Sequence, residues 1–136
     1  MRNVDRTIFG EHHARSLIDL PGDPASSDGD QLRAILAGIA SGDVTAFYIH
    51  LAEGRRSDQR SIDEFDHLVA ADALTAATVI IHGSAMTRDQ LARAAGAGAK
   101  LVWSPQSNLR LYGSTALRLY GSTALRLYGS TALRLS

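Results

Sequence analysis

Apolar positions fall into short blocks that alternate between two periodicities. Leu32, Ile35, Leu36 and Ile39 recur at helical spacing behind Asp28 and Asp30, either of which can cap a helix, and Gly42 stops it. Val44 to Leu51 (VTAFYIHL) is a β-branched and aromatic run of strand length. The polar stretch GRRSDQR leads to Ser61, read as the cap of a helix carrying Ile62, Phe65, Leu68, Val69 and Leu74, with Glu64 completing a capping box. Thr78 to His82 (TVIIH) is a second strand. Thr87 opens a third helix through Leu91, Ala94 and Ala95, which Gly96 and Gly98 end. Leu101 to Ser104 (LVWS) is a third strand, stopped by Pro105. Residues 1–30 show no clean period, and Pro21, Gly22, Pro24 and Gly29 mark a breaker-rich loop.

Helix and strand in alternation predict an α/β fold of parallel βαβ units. Right-handed crossovers gather the C-terminal ends of all three strands on one edge, where α/β proteins build their sites. The expected organisation is an irregular segment over 1–30, a partial α/β unit over 31–110 and a tail over 111–136. That tail is a repeat without drift: LYGSTALR stands at 111–118, 119–126 and 127–134, and Leu135-Ser136 begins it again. Strand-and-turn rungs, broken helix and an unstructured tail all remain compatible with it. The pattern of identical octamers fits a tandem duplication or an engineered extension.

Composition narrows the classes. The 136 residues include no cysteine, which excludes disulfides, thiolate zinc sites and a cysteine nucleophile. No apolar run reaches the roughly 18 residues of a spanning helix, and MRNVDRTIFGEHH lacks a signal peptide's apolar stretch. The expectation is a cytoplasmic protein with no membrane partner. Net charge is zero, yet all 14 acidic residues lie at or before Asp89. Residues 1–89 hold eight basic residues against those 14, a net −6, and the remainder is +6. Such asymmetry favours head-to-tail contacts between chains or within one. The basic residues are spaced rather than clustered, so no nucleic-acid partner is expected.

His50 and His82 each end a strand, 32 positions apart. Alternation sets Ala46, Tyr48 and His50 on one face of their strand and Thr78, Ile80 and His82 on one face of theirs. Two imidazoles converging from neighbouring strands suit a divalent metal, with Glu53 as an acid/base group on the following loop. The same placement fits two hydrogen-bonded strand-end histidines beside a surface carboxylate. His12, His13 and His67 read as loop or helix-face residues.

FYIHLAEG, TVIIHG and LVWSPQSNLRLYGST, in this order and spacing, resemble the hydrolase and deaminase branch of the amidohydrolase superfamily. That branch includes cytosine, guanine and S-adenosylhomocysteine deaminases and triazine hydrolases. The resemblance spans about residues 44–115. It implies a metal-dependent (β/α)8 barrel that hydrolyses C–N and related bonds of small molecules with zinc or iron. His50 matches the fifth-strand metal ligand, Glu53 the acid/base glutamate of H-x-x-E, and His82 the sixth-strand histidine. The segment Trp103 to Asn108 matches the seventh-strand motif and makes Asn108 a substrate-binding candidate.

The family's first-strand H-x-H pair and eighth-strand aspartate have no counterpart here, and a closed barrel takes about 200 residues or more. The expected fold is therefore a partial (β/α)8-barrel-like unit of three parallel strands with helices and an octapeptide-repeat tail. Its expected function is that of an amidohydrolase fragment, incomplete or inactive as a lone chain. Two alternatives stand beside it: an active hydrolase completed by oligomerisation, and a non-enzymatic assembly protein acting through the repeats. Open sheet edges predict a homo-oligomer.

Overall fold

The computed structural model describes residues 14–23, 25–102, 110 and 111. Among these residues four parallel strands and three helices alternate: β1 (Ala14–Leu17), α1 (Ser27–Ser41), β2 (Ala46–Leu51), α2 (Gln59–Ala70), β3 (Thr78–His82), α3 (Arg88–Gly96) and β4 (Lys100–Val102). The strands lie in the order β1-β2-β3-β4. The α/β class and the parallel pairing follow the sequence pattern, but the sheet has four strands where three were expected. The added strand, β1, lies within the segment read as irregular. It is only ARSL, too short and too polar to show a period, and it is a strand because β2 offers it a parallel edge. The expected Val44 to Leu51 strand is trimmed to Ala46–Leu51, and β3 has the expected bounds. The repeats beyond Leu111, together with His12, His13, Asn108 and the Trp103 to Asn108 segment, lie outside the described residues.

Two helix starts differ from the sequence reading. Ser26, ahead of Asp28 and Asp30, caps α1; its hydroxyl accepts from the Gly29 N–H, which leaves the two aspartates in the first turn, where the helix dipole favours them. Gly42 closes α1 in the left-handed conformation, as expected. Asp58 rather than Ser61 caps α2, accepting from the Arg60 N–H, because the helix begins three residues earlier. Ser61 falls in the first turn, where its hydroxyl donates to Asp58 at 2.8 Å. Glu64 is thereby released from any capping role. Thr87 does cap α3, with Gln90 returning the bond in a full capping box. The amide of Gln90 also donates to the Ile62 carbonyl, tying α3 to α2.

Register shows which side of the sheet the helices cover. Leu17, Ile49, Ile80 and Leu101 align across all four strands, and each is buried. They form one core with Leu32 and Ile35 of α1, Phe65 and Leu68 of α2 and Ala94 of α3. Residues of the opposite face are absent from that core. All three helices therefore pack on one side, as sequential strand order with right-handed crossovers demands. Thr78 is the polar member of the helix-side face, and its hydroxyl donates to the Ala73 carbonyl at 2.7 Å, so its burial leaves no orphan. No helix among the described residues is long and apolar enough to cross a membrane.

Candidate functional site

The C-terminal ends of β2 and β3 carry three residues singled out in the sequence. The His50 and His82 ring centroids stand 5.3 Å apart, tilted by 33°. His82 Nε2 lies 3.4 Å from Glu53 Oε2, a contact that becomes an ion pair when the imidazole is protonated. His82 is buried, whereas the Glu53 side chain keeps 30% of its exposure. Asn108, the fourth candidate, lies outside the described residues.

The convergence does not come from strand alternation alone. In register His82 stands beside Leu51, and His50 beside Ile81, so the pleat would send the two histidines to opposite faces. His82 has a φ of +75° and Gly83 one of +60°. This left-handed turn breaks the alternation at the end of β3 and allows the imidazole to meet His50. A non-glycine residue in that region is uncommon and carries strain, which is typical of functional positions.

Four further groups hold the two loops together. The Gly83 N–H donates to the Leu51 carbonyl at 3.0 Å and the Ala85 N–H to that of Ala52 at 2.9 Å. The buried Ser84 hydroxyl reaches the carbonyls of both Ala52 and Gly54, at 3.1 and 3.2 Å. From the other side Glu64 Oε2 accepts from the Ala52 N–H at 2.6 Å. Ala52 itself has a φ of +53°, so the loop bearing Glu53 leaves β2 through a strained residue clamped on both sides. Sequence reasoning missed Ser84 and Glu64. A serine after a strand gives no signal of its own, and Glu64 sits at the spacing of a capping box.

Burial raises the Glu64 carboxyl above its usual pKa; the Ala52 N–H opposes this, and Asp19, Asp58 and Glu53 add to the rise. A raised acid pKa in the fold means stability that is fully present below the ordinary glutamate range and is lost as pH rises through the raised value. Glu64→Gln keeps an oxygen for Ala52 and removes the charge. As pH rises above the ordinary glutamate range, the parent should lose stability relative to that variant, with a shallow slope because the side chain is only partly buried. Glu64→Ala strands the Ala52 N–H and should cost about 1–3 kcal/mol. Chemical denaturation across the pH series measures both effects; a parent that gains on Glu64→Gln as pH rises contradicts this account.

His50 also lines an open pocket of about 600 Å³ between the loop at Asp19 and Leu20 and the α2 residues Arg60, Glu64 and His67. Its Nδ1 is buried without a hydrogen-bond partner. Glu53 and His82 are not part of that lining, so His50 joins the pocket to the His82–Glu53 pair through its ring contact with His82.

A free imidazole nitrogen beside a second imidazole and a carboxylate is donor chemistry that zinc or iron accepts. The set is nevertheless short. Among the described residues no group of three or more His, Asp or Glu side chains is placed to hold a metal ion. Zinc sites use three or four protein ligands, so these residues do not by themselves fit a resident metal. No family model, curated protein or solved structure matches the chain.

Proposed function

We propose that this chain carries part of a metal-dependent amidohydrolase site, one that hydrolyses C–N bonds of small molecules and is incomplete within a single chain. The observation that carries the reading is the meeting of His50, His82 and Glu53 at the C-terminal edge of a parallel sheet, where α/β enzymes work. The motifs that resemble the amidohydrolase branch contribute these same three residues.

Each has a role that follows from its setting. His50 presents an unengaged Nδ1, the property required of a ligand held ready for a partner. His82 is held by the turn at Gly83 and faces the Glu53 carboxylate, which can fix its tautomer. Glu53 is exposed enough to exchange a proton with a substrate and close enough to His82 to pass that proton's charge to an imidazole. A divalent metal, once bound, would supply an acidified water. Further ligands must come from outside the described residues of one chain.

Purified protein dialysed against zinc should retain well under one equivalent per chain. His50→Ala and His82→Ala should each remove what is retained, with the far-ultraviolet dichroism unchanged. Near one equivalent per folded monomer would overturn the incompleteness. Retention that ignores both substitutions would overturn the site.

A further inference from the structure

The sheet has one face packed and one face waiting. On the helix side Ile49, Ile80 and Leu101 are at most 1% exposed. On the other side Val79 is buried at 5%, but Tyr48, His50, Ile81 and Val102 are each only partly buried, although the chain devotes large side chains to them. Register lines them up as a surface: Ser16, Tyr48, Val79 and Lys100 form one row, and His50, Ile81 and Val102 the next. Parallel sheets are stable with both faces covered. Among the described residues the helices cover one.

We propose that a second copy of this chain covers that face, the two sheets joining β4 to β1 of the partner twice over to close an eight-stranded parallel barrel.

Three observations select this occupant. The first is topological. Among the described residues a four-stranded sheet in sequential order with its three helices on one side has the winding of half of an eight-stranded βα barrel, whose inner face is filled by its own inward side chains. A two-fold axis along the barrel axis keeps all eight strands parallel and places β4 of each copy beside β1 of the other. The contact is head-to-tail, and it closes after two copies instead of propagating.

The second is charge. Exposed Asp19, Asp23 and Asp28 surround the connection from β1 into α1, where Asp30 pairs with Arg33, while exposed Arg93 and Arg110 stand on either side of β4 in the chain and Arg88 is offset by its exposed neighbour Asp89. The two seams set the acidic flank of one copy against the basic flank of the other.

The third is the site. Both C-terminal edges lie at the same mouth of such a barrel. His50, His82 and Glu53 of each copy then face one opening, so the second copy supplies the additional imidazoles and carboxylate that a single chain lacks. This last consequence rests on the proposed function; the first two observations do not.

The absence of cysteine permits a direct test. A double variant, Ser16→Cys with Val102→Cys, places one thiol on each edge strand, both on the unpacked face. The edges are three strand spacings apart within a chain, roughly 14 Å, so a bis-maleimide with a shorter reach links them only between chains. In the presence of a chelator the double variant should give a covalent dimer in high yield. Ser16→Cys with Lys100→Cys covers the neighbouring register. Sedimentation equilibrium of the unmodified chain should show twice the 14.5 kDa mass.

A monomer at all concentrations overturns the proposal. So does a double variant that gives no covalent dimer, and so does growth beyond two chains, which signals a seam that fails to close. Because the linkage is read without metal, its failure is separate from any failure of zinc binding.

Discussion

Replacing Phe65 by alanine should lower the unfolding free energy by about 3–5 kcal/mol. Phe65 is 0% exposed and is the largest side chain by which α2 enters the core shared with the sheet. Total stability for a domain is about 5–15 kcal/mol, so the variant will be marginal or unfolded at 37 °C. The damage reaches the site through Glu64, the preceding residue, which holds the Ala52 N–H and with it the loop bearing Glu53. Phe65→Leu preserves most of the volume and should cost less than half as much. Denaturant titration of both variants is the measurement. A loss below about 1 kcal/mol for alanine would mean that α2 is not anchored as described.

The second large effect is expected at Gly83. Its φ of +60° is left-handed, and an added Cβ would stand 2.7 Å from Leu101 Cδ1 and 3.1 Å from Met86 Sδ. Backbone strain of about 1–2 kcal/mol and overpacking of about 1–3 kcal/mol together give Gly83→Ala a cost on the order of 2–5 kcal/mol. Gly42 isolates the two contributions. It has a φ of +82° with nothing within 4 Å of an added Cβ, so Gly42→Ala should show the backbone cost alone. Gly83→Ala should also shift the His82 ring resonances, because the turn that brings His82 to His50 is the turn being strained. Equal losses at the two glycines would remove the packing argument.

Much of the architecture was legible as pattern. Helical spacing in Leu32, Ile35 and Ile39, and the run TVIIH, mark elements whose burial follows directly from side-chain chemistry. The parallel class followed from alternation, since consecutive parallel strands need a crossover and the helices supply it. Strand β1 escaped because its four residues carry almost no pattern; its pairing with β2 is a property of the neighbour. The start of α2 moved because Asp58 and Ser61 are both competent caps, and local sequence does not rank them. Ser61 ended in a buried first turn against Gly54, where an added Cβ would stand 2.7 Å from Ser61 Cβ.

The site divides in the same way. His50, Glu53 and His82 could be named from residue type, strand-end position and motif, all of which are written along the chain. Their meeting depended on a left-handed turn at His82 and Gly83. Alternation applied in one dimension predicted a shared face, which the register between β2 and β3 does not provide. The clamp of Ser84 and Glu64 was illegible because a hydroxyl or carboxylate acquires its role from the carbonyl or N–H it meets, and those come from residues 12 to 32 positions away. Sequence by itself determined the α/β class, the elements of strong period and the identity of the candidate chemistry, since these depend on spacing and side-chain type. Only the tertiary structure decided the fourth strand, the true helix caps and the geometry of the histidine pair, because each rests on register and contact between segments distant along the chain.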